Sequence, residues 1–262
     1  ELGTKLTGRH LSYELFPFSY NEYLEFSGQK PSKETFEYYF KEGGFPEYLK
    51  SKNTDILRQI FNDVLFRDIV VRYNLKDIKL LREIALYLIS NVGKEFSYNN
   101  LKKIFSIGST TTVSTYIHYF EECYLLFAIN RFDYSYKKQL VSPKKIYCID
   151  TGFTNANSVS LSEDLGRKLE NTVFLHLRRE YKEIFYFKDK YECDFLIKEG
   201  GKIKSAIQVC YLLDEDNKER EISGLKEAMK KFGLKKGKII TLGQEDKLGE
   251  IDVIPVWKWV LE

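Results

Sequence analysis

Apolar residues recur at three- and four-residue spacing over Thr54 to Tyr73, where Ile56, Leu57, Ile60, Val64, Leu65 and Ile69 fall on one side of a helix. A shorter helical pattern covers Lys33 to Lys41, and Pro17, Gly28, Pro31, Gly43, Gly44 and Pro46 punctuate the chain around it. Residues 1–78 therefore read as the helices of a connecting segment.

The pattern changes character over residues 79–150. Ile78 to Asn91 places Leu81, Ile84, Ala85, Leu88 and Ile89 on one helical face. Ser97 is the expected N-cap of a second helix over Tyr98 to Phe105, Ser106 to Ser109 make a tight turn, and Thr110 to Glu122 form a third helix that buries Val113, Phe120 and one of Tyr116 and Ile117. Tyr124 to Phe132 and Lys144 to Asp150, rich in aromatic and β-branched residues, read as two strands joined by the polar stretch Asp133 to Pro143. Three helices followed by a hairpin is the order of a winged-helix-like module.

Residues 151–262 alternate between the two periods. An amphipathic helix from Asp164 to Tyr181 precedes strands over Ile184 to Lys188, Glu192 to Lys198 and Ile203 to Leu212, the last two joined at Glu199, Gly200, Gly201 and Lys202. A second helix from Lys218 to Phe232 and strands over Lys238 to Leu242 and Ile251 to Val256 complete an α/β unit. The expected fold class is mixed α and α/β.

Composition narrows the class. With 19 Tyr and 19 Phe in 262 residues the chain has ample bulk for two or three cores. It has no run of about 18 uncharged apolar residues, so a cytoplasmic protein with no membrane partner is expected. Four scattered cysteines, Cys123, Cys148, Cys193 and Cys210, read as free thiols. The formal net charge is only +3, but residues 79–150 carry 10 basic against 6 acidic groups, whereas residues 151–262 balance at 20 and 20. The excess favours a phosphate backbone near the middle of the chain. No G-x-x-x-x-G-K-[ST] loop is present, the chain opens on Glu1, and its sole methionine is Met229, so an ATP site is expected only in sequence upstream of Glu1.

Three groups of residues carry a resemblance. They are Leu6, Thr7, Gly8 and Arg9 with Pro17, Ser19, Tyr20 and Glu22; then Gly43, Gly44, Phe45, Pro46 and Glu47 with Asp63, Arg67 and Asp68; then Gly166 to Asn171, Glu192 to Phe195, Ile207 to Tyr211, and Arg220 with Glu221. In order and spacing the chain resembles the C-terminal region of bacterial and archaeal AAA+-type P-loop ATPases that end in a domain of unknown function with a restriction-endonuclease-like, PD-(D/E)xK-type fold. The resemblance implies an upstream ATPase domain as partner in the same chain, ATP bound only there, Arg9 near the nucleotide or a subunit boundary, and a nuclease-like unit over residues 151–262.

That resemblance gives the acidic residues a role. Nucleases of this fold hold Mg²⁺ or Mn²⁺ between carboxylates, because the ion offsets charge building on the phosphate and lowers the pKa of bound water. Glu170 and Asp194 are the candidate metal ligands, and Glu170, Asp194 and Gln208 are expected to meet at one end of the sheet. The acidic residue and lysine of the pattern are replaced by Gln208 and Cys210, two positions apart on one strand face. Lys188, a strand earlier, is the candidate for a displaced catalytic lysine. For nucleic acid, Thr111, Ser114 and Thr115 on the third helix and Lys102, Lys103, Lys137, Lys138, Lys144 and Lys145 around it are the candidate contacts, with DNA as the partner. Three readings stand open: a nucleic-acid-associated region with a degenerate, inactive nuclease-like domain; an active metal-dependent nuclease using the displaced lysine; and a docking or regulatory module for the ATPase, with self-association into a homo-oligomer a further partner expectation.

Overall fold

The side chains of Ser97, Ser109 and Asp164 each accept a backbone N–H from the first turn of a helix, which fixes where three helices begin. In the computed structural model, which describes residues 13–160 and 164–262, the elements follow in chain order. Helices α1 (Tyr20–Ser27), α2 (Lys33–Glu42), α3 (Pro46–Ser51) and α4 (Thr54–Asp63) come first, and α4 runs on as a π-helical segment, Val64–Val71. Then come α5 (Ile78–Ile89), β1 (Glu95–Phe96), α6 (Tyr98–Ile104), α7 (Thr110–Glu122), β2 (Leu126–Arg131), α8 (Tyr136–Val141), β3 (Lys144–Cys148) and α9 (Thr151–Asn157). The last part holds α10 (Leu165–Glu180), β4 (Ile184–Lys188), β5 (Glu192–Glu199), β6 (Lys202–Cys210), α11 (Lys218–Phe232), β7 (Gly237–Thr241), β8 (Asp246–Leu248), β9 (Ile251–Pro255) and α12 (Val256–Trp259).

The helical faces read from spacing are the buried ones. Leu81, Ile84, Ala85, Leu88 and Ile89 of α5 and Val113, Ile117 and Phe120 of α7 are enclosed, and Tyr116 joins Ile117 inside. Several short elements escaped the pattern, β8 and α12 near the end of the chain among them. The polar stretch between the two strands folds in part as α8, a short strand β1 pairs with β3, and α9 follows directly on Asp150. Short elements carry too few periodic positions to register, and α8 has no buried residue at all.

The nine strands of the described residues form one mixed sheet in the order β1-β3-β2-β4-β5-β6-β7-β9-β8. The hairpin β2/β3 is antiparallel, and β2 then pairs in parallel with β4 through Asn130 and Phe185, so the sheet runs on across position 150. Helix α10 covers one face with Leu169, Val173, Phe174 and Leu177, and its Phe174 ring stacks on Tyr147 of β3 at 4.3 Å. Helix α11 lies on the other face, where Leu225, Ala228 and Met229 meet Cys193, Leu196, Ala206 and Ile239. Each such side chain contributes about 1.5–3 kcal/mol when fully buried. Both faces of the central strands are therefore dry, and a polar group there needs a partner.

Among the ties between the first helices and the rest of the chain is a buried joint at Asp150. Asp150 caps α9 by accepting the Phe153 N–H at Oδ1 (2.8 Å) and, across the chain, the Gly44 N–H at Oδ2 (2.6 Å). Gly43 sits at φ 79° with its Cα against the Asp150 carboxylate, so it needs both a left-handed backbone and the absence of a side chain. Cys148, Cys193 and Cys210 are buried and Cys123 half-buried, all as free thiols.

Candidate functional site

β5 and β6 are antiparallel with Phe195 opposite Ile207, which brings Asp194 and Gln208 face to face one position on. The Asp194 N–H donates to Gln208 Oε1 (3.2 Å), and the Val209 N–H donates to Asp194 Oδ2 (2.9 Å). Glu170, buried in α10, closes on the same point. Glu170, Asp194, Gln208 and Lys188 thus line one open cleft of about 500 Å³.

The centre of this cleft is a residue that sequence reasoning placed elsewhere. Lys145, on β3, has a side chain only 3% exposed, and its Nζ lies 2.8 Å from Glu170 Oε1, 2.9 Å from Asp194 Oδ1 and 2.7 Å from Glu192 Oε1. Tyr147, two positions along the same strand, donates its hydroxyl to Glu170 Oε1 (2.6 Å). Burial opposes the Lys145 charge, but Asp194 and Glu170 outweigh it and hold its pKa well above the usual lysine range. Burial lifts the Glu170 carboxyl to about 7 against the pull of Lys145, since one ammonium has three acids to satisfy. For Glu192, which is also reached by Lys188, the two lysines overcome burial and the pKa falls.

Lys188 stands at the rim. Its Nζ bonds Glu95 Oε2 (2.7 Å) and Glu192 Oε2 (3.1 Å), so a carboxylate separates it from the cluster and it does not enter the position of a displaced lysine. Arg220 pairs with its neighbour Glu221, whose other oxygen accepts the Gln208 amide at 2.6 Å. A glutamate at position 208 would face Glu221 as a like charge, which gives the neutral amide a physical reason. Burial pushes the Cys210 thiol up to about 12, so it stays neutral.

The donor set does not fit Mg²⁺ or Mn²⁺ as folded. Glu170 and Asp194 are suitable hard ligands, but the oxygens they turn toward each other hold an ammonium, and Asp194 Oδ2 and Gln208 Oε1 accept backbone N–H groups. Among the described residues no group of three or more His, Cys, Asp or Glu side chains is arranged to hold a metal ion.

The expected nucleic-acid contacts divide. Lys137 and Lys138 are exposed on α8, Lys103 and the half-buried Lys102 occupy the last turn of α6, and Thr111, Ser114 and Thr115 lie on the outer part of α7. Lys144 and Lys145 are corrected: both are buried, because β3 is an interior strand rather than a solvent-facing wing edge. Lys144 donates to the Leu140 carbonyl (3.2 Å) and sits over the Tyr98 ring. Arg9, with Leu6, Thr7 and Gly8, lies outside the described residues.

A family model described as a domain of unknown function, DUF8612, matches residues 33–164, half of the chain. The chain belongs to this DUF8612 family. A second domain of unknown function, DUF4143, matches residues 165–259 of the DUF8612 chain, so the two models meet where α10 begins. The uncharacterized protein MJ1544 of Methanocaldococcus jannaschii is 39% identical over 295 residues, spanning 100% of this chain and 66% of the relative. An uncharacterized protein of Haemophilus influenzae is 28% identical over 276 residues, spanning 100% of this chain and 68% of the relative. The chain thus spans about two thirds of the length of these curated relatives. No solved structure matches it significantly. Among the described residues no helix is long and apolar enough to cross a membrane.

Proposed function

We propose that this chain is the C-terminal region of an ATP-binding protein and that it associates with nucleic acid through a winged-helix-like module and a nuclease-like α/β unit that binds without cutting. The observation that carries the reading is Lys145. Its ammonium occupies the point where Glu170 and Asp194 converge, the place a divalent ion takes between paired carboxylates in a restriction-endonuclease-like nuclease, and it arrives with one charge and no water to activate. Cys210 and Gln208 fit the same reading, because both positions have lost the charge that phosphodiester cleavage uses.

Other features agree with it. Domains of the DUF4143 family are typically found C-terminal to AAA-type ATPase domains. The order α5, β1, α6, α7, β2, β3, with β3 between β1 and β2 in the sheet, is the order of a winged helix. The exposed lysines of α6 and α8 supply the local positive charge.

Two measurements on one preparation test the proposal. A fluorescent DNA duplex is expected to bind at low salt with an affinity that falls as salt rises, and supercoiled plasmid is expected to stay intact in Mg²⁺ or Mn²⁺. Nicking that Asp194→Asn abolishes establishes an active nuclease instead. Absence of binding at the lowest salt removes the nucleic-acid reading and leaves a docking or regulatory role for the ATPase.

A further inference from the structure

Among the described residues α8 is the helix that the fold leaves uncovered: none of its six residues is buried. Tyr134 just before it and Tyr136 at its start are 79% and 71% exposed, and Leu140 and Val141 at its end are exposed as well. Lys137 and Lys138 lie between them. A packed protein does not gain from an exposed stretch of this kind, and a run in which two aromatic rings are followed by two lysines has a specific chemistry: rings offer a stacking face and ammonium groups meet a phosphate backbone.

The first of the two rings is held rather than loose. The Tyr134 ring stands edge-on to Phe132 at 5.4 Å and meets Phe232 of α11 at 6.4 Å, and Phe132 and Phe232 themselves pack perpendicular at 5.1 Å. Tyr134 is therefore braced from beneath by both halves of the chain while most of its surface faces water. Lys144 braces the other end of the element by donating to the Leu140 carbonyl. A braced platform loses little freedom on binding, so more of the stacking energy is retained. Basic charge continues past the ring, since Lys231 lies over Phe187 at 4.7 Å and Phe187 touches Phe232.

We infer that Tyr134 and Tyr136 form a stacking platform for unpaired bases, so that the strand bound by this module is single-stranded nucleic acid whose backbone runs past Lys137 and Lys138. The inference rests on the nucleic-acid reading above and narrows it. A duplex keeps its bases inside the stack and offers these rings nothing, whereas every unpaired base has a face to give. Six residues make α8 too short to lie along a lipid surface as an amphipathic helix, and the two tyrosines end in hydroxyls.

Fluorescence anisotropy with a labelled single-stranded oligonucleotide and with its duplex, on the whole chain, decides the matter. The single strand is expected to bind more tightly than the duplex. Replacing both rings, Tyr134→Ser with Tyr136→Ser, is expected to weaken the single strand by roughly 30-fold or more, from about 1–3 kcal/mol per stacked base, and to leave the duplex within twofold. Tyr134→Phe with Tyr136→Phe is expected to retain the single-strand affinity, because the ring and not the hydroxyl does the stacking. Equal loss on both probes, or no preference in the parent, overturns the inference while the duplex binding still upholds the broader reading. No binding of either probe overturns both. Sedimentation of the parent as a dimer that the double serine variant dissolves assigns the platform to self-association and overturns the inference as well.

Discussion

Two buried carboxylate sites, the Lys145 cluster and the Asp150 joint, solve the same electrostatic problem differently. In the cluster, Glu170, Asp194 and Glu192 surround one ammonium, so charge answers charge. At the joint, Asp150 is answered by the N–H groups of Gly44, Phe153 and Gly152 and by the more distant charge of Arg179, with no salt bridge to it among the described residues. Dipoles aimed at a carboxylate stabilise it, but burial here is the larger effect and lifts the Asp150 carboxyl to about 6 despite them. The contrast says what each site is for. A joint between two parts of the chain works with a carboxyl that gains or loses its proton near neutrality, whereas a cluster that buries Glu170 and Asp194 side by side needs a resident cation.

Removing that cation is the most severe way to break the comparison. Lys145→Met keeps the length of the side chain and leaves Glu170 and Asp194 facing each other with nothing between them. The loss is expected to be about 3–5 kcal/mol, the usual cost of orphaning a buried charge, read by urea denaturation at pH 7.5. It should shrink at pH 5, where Glu170, whose carboxyl burial already lifts to about 7, takes up its proton. A loss below about 1 kcal/mol would mean that water reaches the cluster and that Lys145 is an ordinary surface pair.

The joint is expected to respond less and with a defined pH dependence. An acid whose folded pKa, about 6, exceeds its ordinary value, 3.8, stabilises the fold fully below pH 4, and that contribution is lost as pH rises through 6. Asp150→Asn has a single carbonyl oxygen for two N–H donors and puts an amide N–H against one of them, which costs about 1–3 kcal/mol. The substitution also removes the titration. The parent's advantage over Asp150→Asn is therefore expected to be larger at pH 5 than at pH 7.5 in matched denaturation curves. A gap that widens with pH would place the Asp150 pKa below its ordinary value and reverse the account of the joint.

The two sites also differ in how far the sequence gives them away. Glu170, Asp194 and Gln208 were legible because a resemblance names them and because strand pairing puts Asp194 opposite Gln208. Lys145 was misplaced for a reason visible afterwards. The strand Lys144 to Cys148 follows its two lysines with Ile146, Tyr147 and Cys148, apolar on both faces, which marks an interior strand, and a lysine there has to be paired. Reading Lys144 and Lys145 as the base of a wing treated the hairpin as an edge, whereas β2 pairs with β4 and β3 with β1, so neither is one. Asp150 was unreadable as a joint because its partner Gly44 lies over a hundred positions away. The helices, in contrast, depend on contacts three and four positions apart, and their faces were recovered nearly whole. The exception is α4 and the π-helical segment it runs into, where Ile56, Ile60 and Val64 are only half-buried and Phe61 is enclosed instead.

Lys188 sharpens the comparison from its weakest end. It touches Glu192, a member of the cluster, yet its side chain is 39% exposed and its second partner, Glu95, faces the rim. If the cluster's stability comes from desolvated charge, an ammonium one carboxylate further out should matter little, because water already screens it. Lys188→Met is expected to cost less than about 1 kcal/mol, and 0.5 M NaCl should erase most of that difference. The substitution also separates two views of the cleft. Were Lys188 a displaced catalytic group, Lys188→Met would abolish any metal-dependent nicking with stability unchanged; as a rim pair, it leaves both nearly as they were. A cost comparable to that of Lys145→Met would mean that Glu192 is held by Lys188 rather than by Lys145, and the cluster would then be a chain of pairs instead of acids gathered on one buried lysine.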